Sequence, residues 1–490
     1  MKNFSRSLVW LTISEIIFNA AGYVIHSALG RILEPDDYGR YSLVITLTTM
    51  IVILIGNGIP TAMSKYLSEI IESDPEQIRP IKRKSMKMQA LLMASVTVVF
   101  FILAPVIAYL LGDSSLTPLF QLSALIIPAF AAASFYFYFY TGLHFFRLQS
   151  ILKTVRATSR VIFIIGLAYF FGVKGAISGY IVAPLFVFSV AIICDIIITH
   201  RYFPAIKDHP MSTAKTFSAK TILNYAWPLT LFLLFYELIS TIDLYFVKSL
   251  LHSDHLTGIY NAALTAGRIP YFLFYALTII LLPAISKTTA ERKETETSSL
   301  INKSLRLMLF VLFPLVTLLA LYSRQTILLI YGKDYLEAVY PMSLYVIGAG
   351  FLTVFYVLSF VLNGAGLVKI PMWLTLWGLI LNVTLNFILI PQFELIGASF
   401  SVVVTSLFLM IGSLIYIKKH FAVHMPIMLW IMSIIAAILM IFFSIFLPAG
   451  TFTFIISSII LCVIYFGTLR ISGQLTDHDI ALFLKRKKRM

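Results

Sequence analysis

A chain of 490 residues that is 59% hydrophobic and only 12% charged has too little polar surface for a soluble fold, and reads as an all-α polytopic membrane protein. Its formal charge of +15 would suit a nucleic-acid binder, but the placement of the basic residues described below excludes that class. Its two cysteines, Cys194 and Cys462, lie inside apolar runs, so neither a disulfide framework nor a metal cluster is expected.

The first apolar run, 8–30, follows a basic N-terminus in the manner of a signal sequence. It is long enough to span, contains Glu15 and meets no small-x-small cleavage site, so an uncleaved first helix is expected. Further runs fall at 41–67, 88–111, 117–141, 154–172, 177–199, 222–250, 257–285, 304–331, 337–362, 371–391, 396–417, 425–447 and 451–470. Each approaches the ~20 residues that cross the hydrocarbon core, which predicts about fourteen transmembrane helices. With the N-terminus inside, nearly all of the 37 Lys and Arg fall in the even-numbered loops and the two tails. The odd-numbered loops hold Arg31, Arg40, Lys174, Lys248, Arg324 and Lys333, and Arg268 lies within a helix. The positive-inside rule demands this asymmetry, so a cytoplasmic-membrane protein with both termini cytoplasmic is expected. Basic groups such as Lys82, Arg83, Lys84 and Lys87 then orient helices and meet anionic headgroups. The tail KRKKR at 485–489, after an amphipathic stretch at 480–484, is expected on the inner membrane surface.

An internal repeat organises the chain. A shift of 222 lays Ser64-Lys65 on Ser286-Lys287, Glu69 on Glu291, Gly142 on Gly364, and Gly175-Ala176 on Gly397-Ala398. The Gly-x-Tyr sequences at Gly39 and Gly258 pair at a shift of 219, across a small indel. Six helices separate the copies, so both enter the membrane from the same side. That predicts two bundles related by a pseudo-twofold along the membrane normal, with a site where they face each other. The domains expected are a six-helix bundle at 1–199, a cytoplasmic linker at 200–221, a second bundle at 222–417, two added helices within 425–470, and a basic tail at 471–490.

Chemistry has few places to sit. No loop exceeds about two dozen residues, there is no G-x-x-x-x-G-K-[ST] and no HExxH, so no ATP motor, metal site or other cofactor is expected. The polar residues inside helices form stripes. Glu15, Asn19, Gly22 and His26 share one face of the first helix; Asn261, Thr265, Arg268 and Tyr275 share a face of the eighth. Thr375, Gly378, Asn382 and Asn386 repeat the pattern in the eleventh. Such stripes face other helices or water, either as interhelical hydrogen bonds of ~0.6 kcal/mol or as a binding surface. Arg268 stands apart, because a charge at bilayer depth costs at least ~2.5–3.5 kcal/mol and needs a partner or a ligand phosphate. Its expected resting partners are Glu237 and Asp243 on the preceding helix. The aromatic run at 134–142 reads as packing, with sugar stacking as the alternative.

Several stretches carry a resemblance: LGRILEPDDYGRYSL (29–43), GIPTAMSKYLSE (58–69), IYNAALTAGRIPYFLFYAL (259–277), LIYGKDYLEAVYP (329–341) and LNVTLNFILIPQFELIGASFSVV (381–403). Over essentially its whole length the chain resembles the polysaccharide transporter and oligosaccharide flippase family, within the larger group of multidrug and lipid-linked oligosaccharide exporters. Its fourteen segments resemble the lipid II and spore-cortex branch. The resemblance implies two bundles around a cavity that opens alternately to either side, and a polyprenyl-diphosphate-linked glycan as cargo. It implies that Arg268 grips the diphosphate, and that glycan polymerases or glycosyltransferases are partners. Asn261, Thr265, His26, Asn19, Asn382 and Asn386 are then the further candidate substrate contacts. Glu15, Glu237 and Asp243 are the candidate charge partners or sites for a coupling sodium ion or proton. The first helix departs from the lipid II pattern, offering Glu15 and His26 where that branch carries a basic residue. Two other readings stay open: a sodium- or proton-coupled drug exporter that uses those acids for its cargo, and a membrane-embedded glycan transferase.

Overall fold

The computed structural model describes residues 2–56, 58–70, 75–202, 219–421, 423, 427–448, 450 and 453–476, and among these it contains helices and no strand. Most of the linker expected at 200–221, and the tail from 477 onward with its basic run, lie outside the described residues. The helices are α1 (Lys2–Ile32), α2 (Glu34–Gly56), α3 (Gly58–Ile70), α4 (Ile78–Leu110), α5 (Thr117–Ser123), α6 (Ile126–Gly142) and α7 (Phe146–Tyr202). They continue with α8 (Ala219–Ile239), α9 (Ile242–Leu251), α10 (Asp254–Gly267), α11 (Ile269–Ala290), α12 (Glu294–Leu321) and α13 (Ser323–Ile330). The series closes with α14 (Val339–Gly364), α15 (Lys369–His420), α16 (Ile427–Ser444) and α17 (Thr453–Ile471).

Among the described residues, each expected apolar segment falls mostly in helix, in keeping with a lipid that cannot hydrogen-bond an open backbone. Among the described residues, eight helical stretches are long and apolar enough to cross a bilayer. A ninth is made by Trp227–Ile239 and Ile242–Leu251, bent by 41°. Two of the eight, Phe146–Ile197 and Lys369–His420, run 52 residues, and each folds back on itself. In α7 the reversal occurs at Gly172, with φ 57° and ψ −138°. A Cβ on Gly175 would fall 1.9 Å from the Leu167 carbonyl oxygen, and one on Gly179 would fall 2.5 Å from the Ile164 Cα. Only glycine allows that backbone-on-backbone approach. In α15 the reversal is at Glu394, with φ 49° and ψ −128°, and Gly397 meets the Leu389 carbonyl oxygen in the same way. Each long helix therefore holds two of the expected segments.

Two compact units result, residues 1–224 with 244–261 and residues 225–243 with 262–490. The first unit is built on α3, α6 and α7. Met63, Leu67, Phe135, Tyr136, Phe139 and Tyr140 form its core, so the aromatic run at 134–142 is packing. Gly142 lies where a Cβ would meet the Ser64 carbonyl oxygen at 2.8 Å. In the second unit α11, α12 and α14 enclose Phe274, Ile285, Leu305, Met308, Val357 and Leu358. There Gly364 accepts a hydrogen bond from Ser286 Oγ at 2.9 Å through its carbonyl. Gly142 with Ser64 and Gly364 with Ser286 are repeat mates, so the shift of 222 is a structural repeat. The added helices α16 and α17 pack on α12, where the Tyr465 hydroxyl donates to the Leu309 carbonyl at 2.8 Å.

Candidate functional site

Arg268 does not lie in the middle of a continuous helix. It sits at the break between α10 and α11, with φ −80° and ψ −2°, and Pro270 opens the next turn. Proline fixes its own φ and lacks an N–H, so it starts a helix readily and interrupts one that tries to run through it. Half-buried, the Arg268 side chain donates from Nε to the Tyr345 hydroxyl at 3.2 Å and from Nη2 to the Ser240 carbonyl. Gly267 makes room for this, since a Cβ there would fall 2.5 Å from the Tyr345 ring. Neither of the two Arg268 hydrogen bonds goes to Glu237 or Asp243, whose carboxylates act on the guanidinium through charge, and Asp243 is wholly buried. Beside this group stands a cluster of tyrosines in which Tyr236 and Tyr271 approach Tyr356 at ring distances of 4.7 and 5.1 Å. Thr265 is half-buried in the same unit. Asn261 belongs to the first unit, where it is 3% exposed and its Nδ2 has no hydrogen-bond partner.

The first helix keeps its polar stripe. Glu15, Asn19 and His26 are all half-buried, and His26 Nδ1 lies 2.9 Å from the Tyr38 hydroxyl. Tyr41 continues from there through a hydroxyl-to-hydroxyl bond of 2.9 Å to Tyr180. Asn382 and Asn386 behave differently, being fully buried within the α15 hairpin. Asn386 Nδ2 donates to Asn382 Oδ1 at 2.9 Å, and Asn382 Nδ2 reaches Thr405 at 3.5 Å. They join the two arms of that hairpin.

The charge pattern counts Lys153, Arg156 and Arg160 with the basic residues of the even-numbered loops, although 156 and 160 fall inside the segment expected at 154–172. The structure corrects this, because α7 begins at Phe146 and carries all of them on one helical face. Lys153 forms an ion pair with Glu15. Arg156 is 6% exposed, stacks with its Cζ 3.9 Å from the Phe130 ring centre, and leaves its Nε without an acceptor. Arg160 Cζ lies 4.6 Å from the Phe18 ring and 5.4 Å from that of Tyr180. Spacings of three and four residues are the signal in the sequence that puts the three cations on one face. Lys82 is corrected likewise. Instead of meeting headgroups it lies on α4, 15% exposed, paired with Asp195 and 4.6 Å above the Phe139 ring.

A second charged cluster ties three separate stretches of the first unit together. Lys248, 4% exposed, pairs with Asp113 at 3.0 Å and with Asp254. Arg40 Nε donates to Asp254 at 2.9 Å, and its Nη2 donates to Ser115 Oγ at 2.6 Å. Burial alone would raise the Asp113 carboxyl; the Ser115 and Lys248 hydrogen bonds outweigh it and hold the group below its ordinary range. Beneath the charges Gly39 and Gly258 touch through backbone. A Cβ on Gly39 would fall 2.3 Å from the Asp254 carbonyl oxygen, and one on Gly258 would fall 1.8 Å from that of Pro35. The two Gly-x-Tyr repeats thus serve as mutual contact surfaces.

In the second unit an apolar groove of about 650 Å³ runs between α12, α14, α15 and α16, lined by Leu312, Val316, Ile347, Phe351, Trp430 and Ile438 among others. Among the described residues no group of three or more His, Cys, Asp or Glu is placed to hold a metal ion.

Known proteins fit this geometry. A family model described as polysaccharide biosynthesis protein matches residues 4–289, and one described as MatE matches residues 228–388. An uncharacterized membrane protein of Methanocaldococcus jannaschii is 26% identical over 427 residues, covering 85% of this chain and 99% of that protein. A second uncharacterized membrane protein of that organism is 22% identical over 480 residues, covering 94% of this chain and 93% of its own. Among solved structures, a lipid II flippase MurJ in an inward closed conformation is similar with a TM-score of 0.74 at 17% identity, covering 96% of this chain and 98% of that one. An inward-facing multidrug resistance MATE family transporter of the MOP superfamily has a TM-score of 0.68 at 14% identity, over 84% of this chain and 97% of that one. At such identities the likeness is one of fold.

Proposed function

The chain belongs to the polysaccharide biosynthesis protein family, and we propose that it flips a polyprenyl-diphosphate-linked glycan from the inner to the outer leaflet of the cytoplasmic membrane. Arg268 is the observation that carries this reading. Its hydrogen bonds go to neutral acceptors, the Tyr345 hydroxyl and the Ser240 carbonyl. A phosphate oxygen is a stronger acceptor for a guanidinium than either, because charge-assisted bonds are roughly twice as strong as neutral ones. The resting contacts hold the arginine in place without saturating it. Glu237 and Asp243 offset its charge while no ligand is bound, and are the groups at which a proton or sodium ion would exchange during reset.

The cargo explains the rest of the design. A glycan head cannot cross ~30 Å of hydrocarbon unaided, so a hydrated path must carry it while the polyprenyl tail stays in lipid or in an apolar groove. The groove between α12 and α16 has the lining such a tail needs. A diphosphate bears about two negative charges, and a potential negative inside favours its outward passage by ~2.3 kcal/mol per charge per 100 mV. No ATP motor is required.

The test is export of lipid-linked glycan in cells that depend on this chain. Arg268→Ala, inserted at normal levels, is expected to lower export at least tenfold; unchanged export removes the mechanism. The MatE match over residues 228–388 favours a second reading, a coupled drug exporter with Glu237 and Asp243 as cargo site. In that case Glu237→Gln sensitises cells to cationic drugs and leaves glycan export intact.

A further inference from the structure

The first unit holds two guanidinium groups, Arg156 and Arg160, that no acid among the described residues pairs with. Three cations of α7 gather around one ring of α1: Lys153 Nζ lies 5.7 Å, Arg156 Cζ 5.5 Å and Arg160 Cζ 4.6 Å from the centre of Phe18. Like charges so close repel, and the repulsion grows as water is excluded. Glu15, one turn before Phe18 on α1, is already committed to Lys153. Among the described residues neither Arg156 nor Arg160 makes an ion pair or a guanidinium hydrogen bond, and the buried Arg156 Nε is left over. Aromatic faces hold the guanidinium groups in position but provide no acceptor for their N–H groups.

A buried arginine without an anion is costly, and Arg160, half-buried one helical turn away, adds its repulsion to that cost. The repeat sharpens the point. Residues 153, 156 and 160 correspond to Thr375, Gly378 and Asn382 in the second unit, so the fold itself does not need cations there. Neutral residues serve as hairpin contacts at those positions, with Gly378 tight against Leu409. The charge in the first unit is an addition to a scaffold that closes without it.

We propose that Arg156 and Arg160, backed by Phe130 and Phe18, form an anion-binding site in the first unit that takes a phosphate or diphosphate group. Lys153 is its third cation, held in reserve by Glu15. Counting Glu15, the cluster carries two net positive charges, which matches the charge of a diphosphate ester at neutral pH. The idea rests on the flippase reading for its natural ligand, the diphosphate of a lipid-linked glycan. It differs from that reading in resting on residues of the first unit, whereas Arg268 belongs to the second.

Purified full-length protein in detergent is titrated with inorganic pyrophosphate and, separately, with farnesyl diphosphate, and binding is read by native mass spectrometry and by ligand-induced shift of the melting temperature. Arg160→Gln is the main variant, because its half-buried side chain can be replaced without emptying the core. Arg156→Lys retains charge but loses the planar fork. Arg160→Gln is expected to weaken binding about tenfold or more, as loss of a charge-assisted contact should. Arg156→Lys should weaken it less. Binding of pyrophosphate identifies a free-anion site, and binding of farnesyl diphosphate alone identifies a lipid headgroup site; either supports the proposal when Arg160→Gln weakens it. Binding undiminished in a folded Arg160→Gln, or absent from the unaltered protein, overturns it. Glycan export by Arg268→Ala decides the flippase reading separately, so the two can fail independently.

Discussion

Two clusters of positive charge in the first unit make opposite use of the same chemistry. In the clasp, Lys248 and Arg40 face Asp113 and Asp254, and every head group has an opposite charge or a hydroxyl within reach. On α7, Arg156 and Arg160 face aromatic rings, and the nearby acid Glu15 is spent on Lys153. A satisfied cluster fastens the protein to itself. An unsatisfied one waits for something else, and its cost to stability is the mark of that task.

The strongest way to break this contrast is to remove Lys248. Lys248→Ala leaves Asp113 and Asp254 side by side in a site only 17% and 19% exposed. Breaking a buried pair by deleting one partner costs roughly 3–5 kcal/mol, so thermal unfolding of the solubilised variant should begin well below that of the parent. An unchanged melting temperature would show that the clasp contributes nothing.

The opposite sign is expected on α7. Arg156→Met keeps an unbranched, flexible apolar stem beside Phe130 while removing an uncompensated charge. What is lost is a cation–π interaction of about 0.5–2 kcal/mol; what is gained is relief from burying a guanidinium beside Arg160. The melting temperature should hold or rise, although diphosphate binding falls. A variant as damaged as Lys248→Ala would mean that Arg156 is structural.

The sequence made some of this legible and hid the rest, for identifiable reasons. Helices and repeat stand out because lipid leaves the backbone no alternative to helix, and because Gly175 and Gly397 are fixed by backbone contacts that tolerate no side chain. Even the unusual dihedrals repeat: Gly172 and Glu394 have the same left-handed φ, as do His144 and Gly366, each pair 222 apart. Glycine stands at one member only, so residue identity alone could not reveal them. Arg268 was legible as a lone charge, but the break beside it was masked by the apolar run, with Pro270 as the neglected signal. The repeat also carries Glu15 onto Glu237, and each meets a cation from a different helix, Lys153 in one unit and Arg268 in the other. The clasp had no local signature at all. Its members come from three distant stretches, around 40, 113–115 and 248–254, and only tertiary structure brings them together.

The smallest effect, and the finest test of the comparison, is in pH. Asp113 is held below its ordinary range by Ser115 and Lys248, against the opposing influence of burial. A depressed carboxyl contributes its full stabilisation above the unfolded value of about 3.9 and loses it as pH falls through the lowered folded value. Between pH 7 and about pH 5 Asp113 should therefore leave stability flat, with the decline confined to more acid solution. Asp113→Asn should remove its share of that decline while lowering the plateau, because an amide cannot pair with Lys248. The corresponding change on α7 removes no carboxylate. Arg156→Met should thus leave the acid limb unaltered, moving the melting temperature by a similar amount at each pH. If Asp113→Asn unfolds with the same pH dependence as the parent, the clasp is not closed by this carboxylate, and the contrast between a satisfied and a waiting cluster loses its satisfied half.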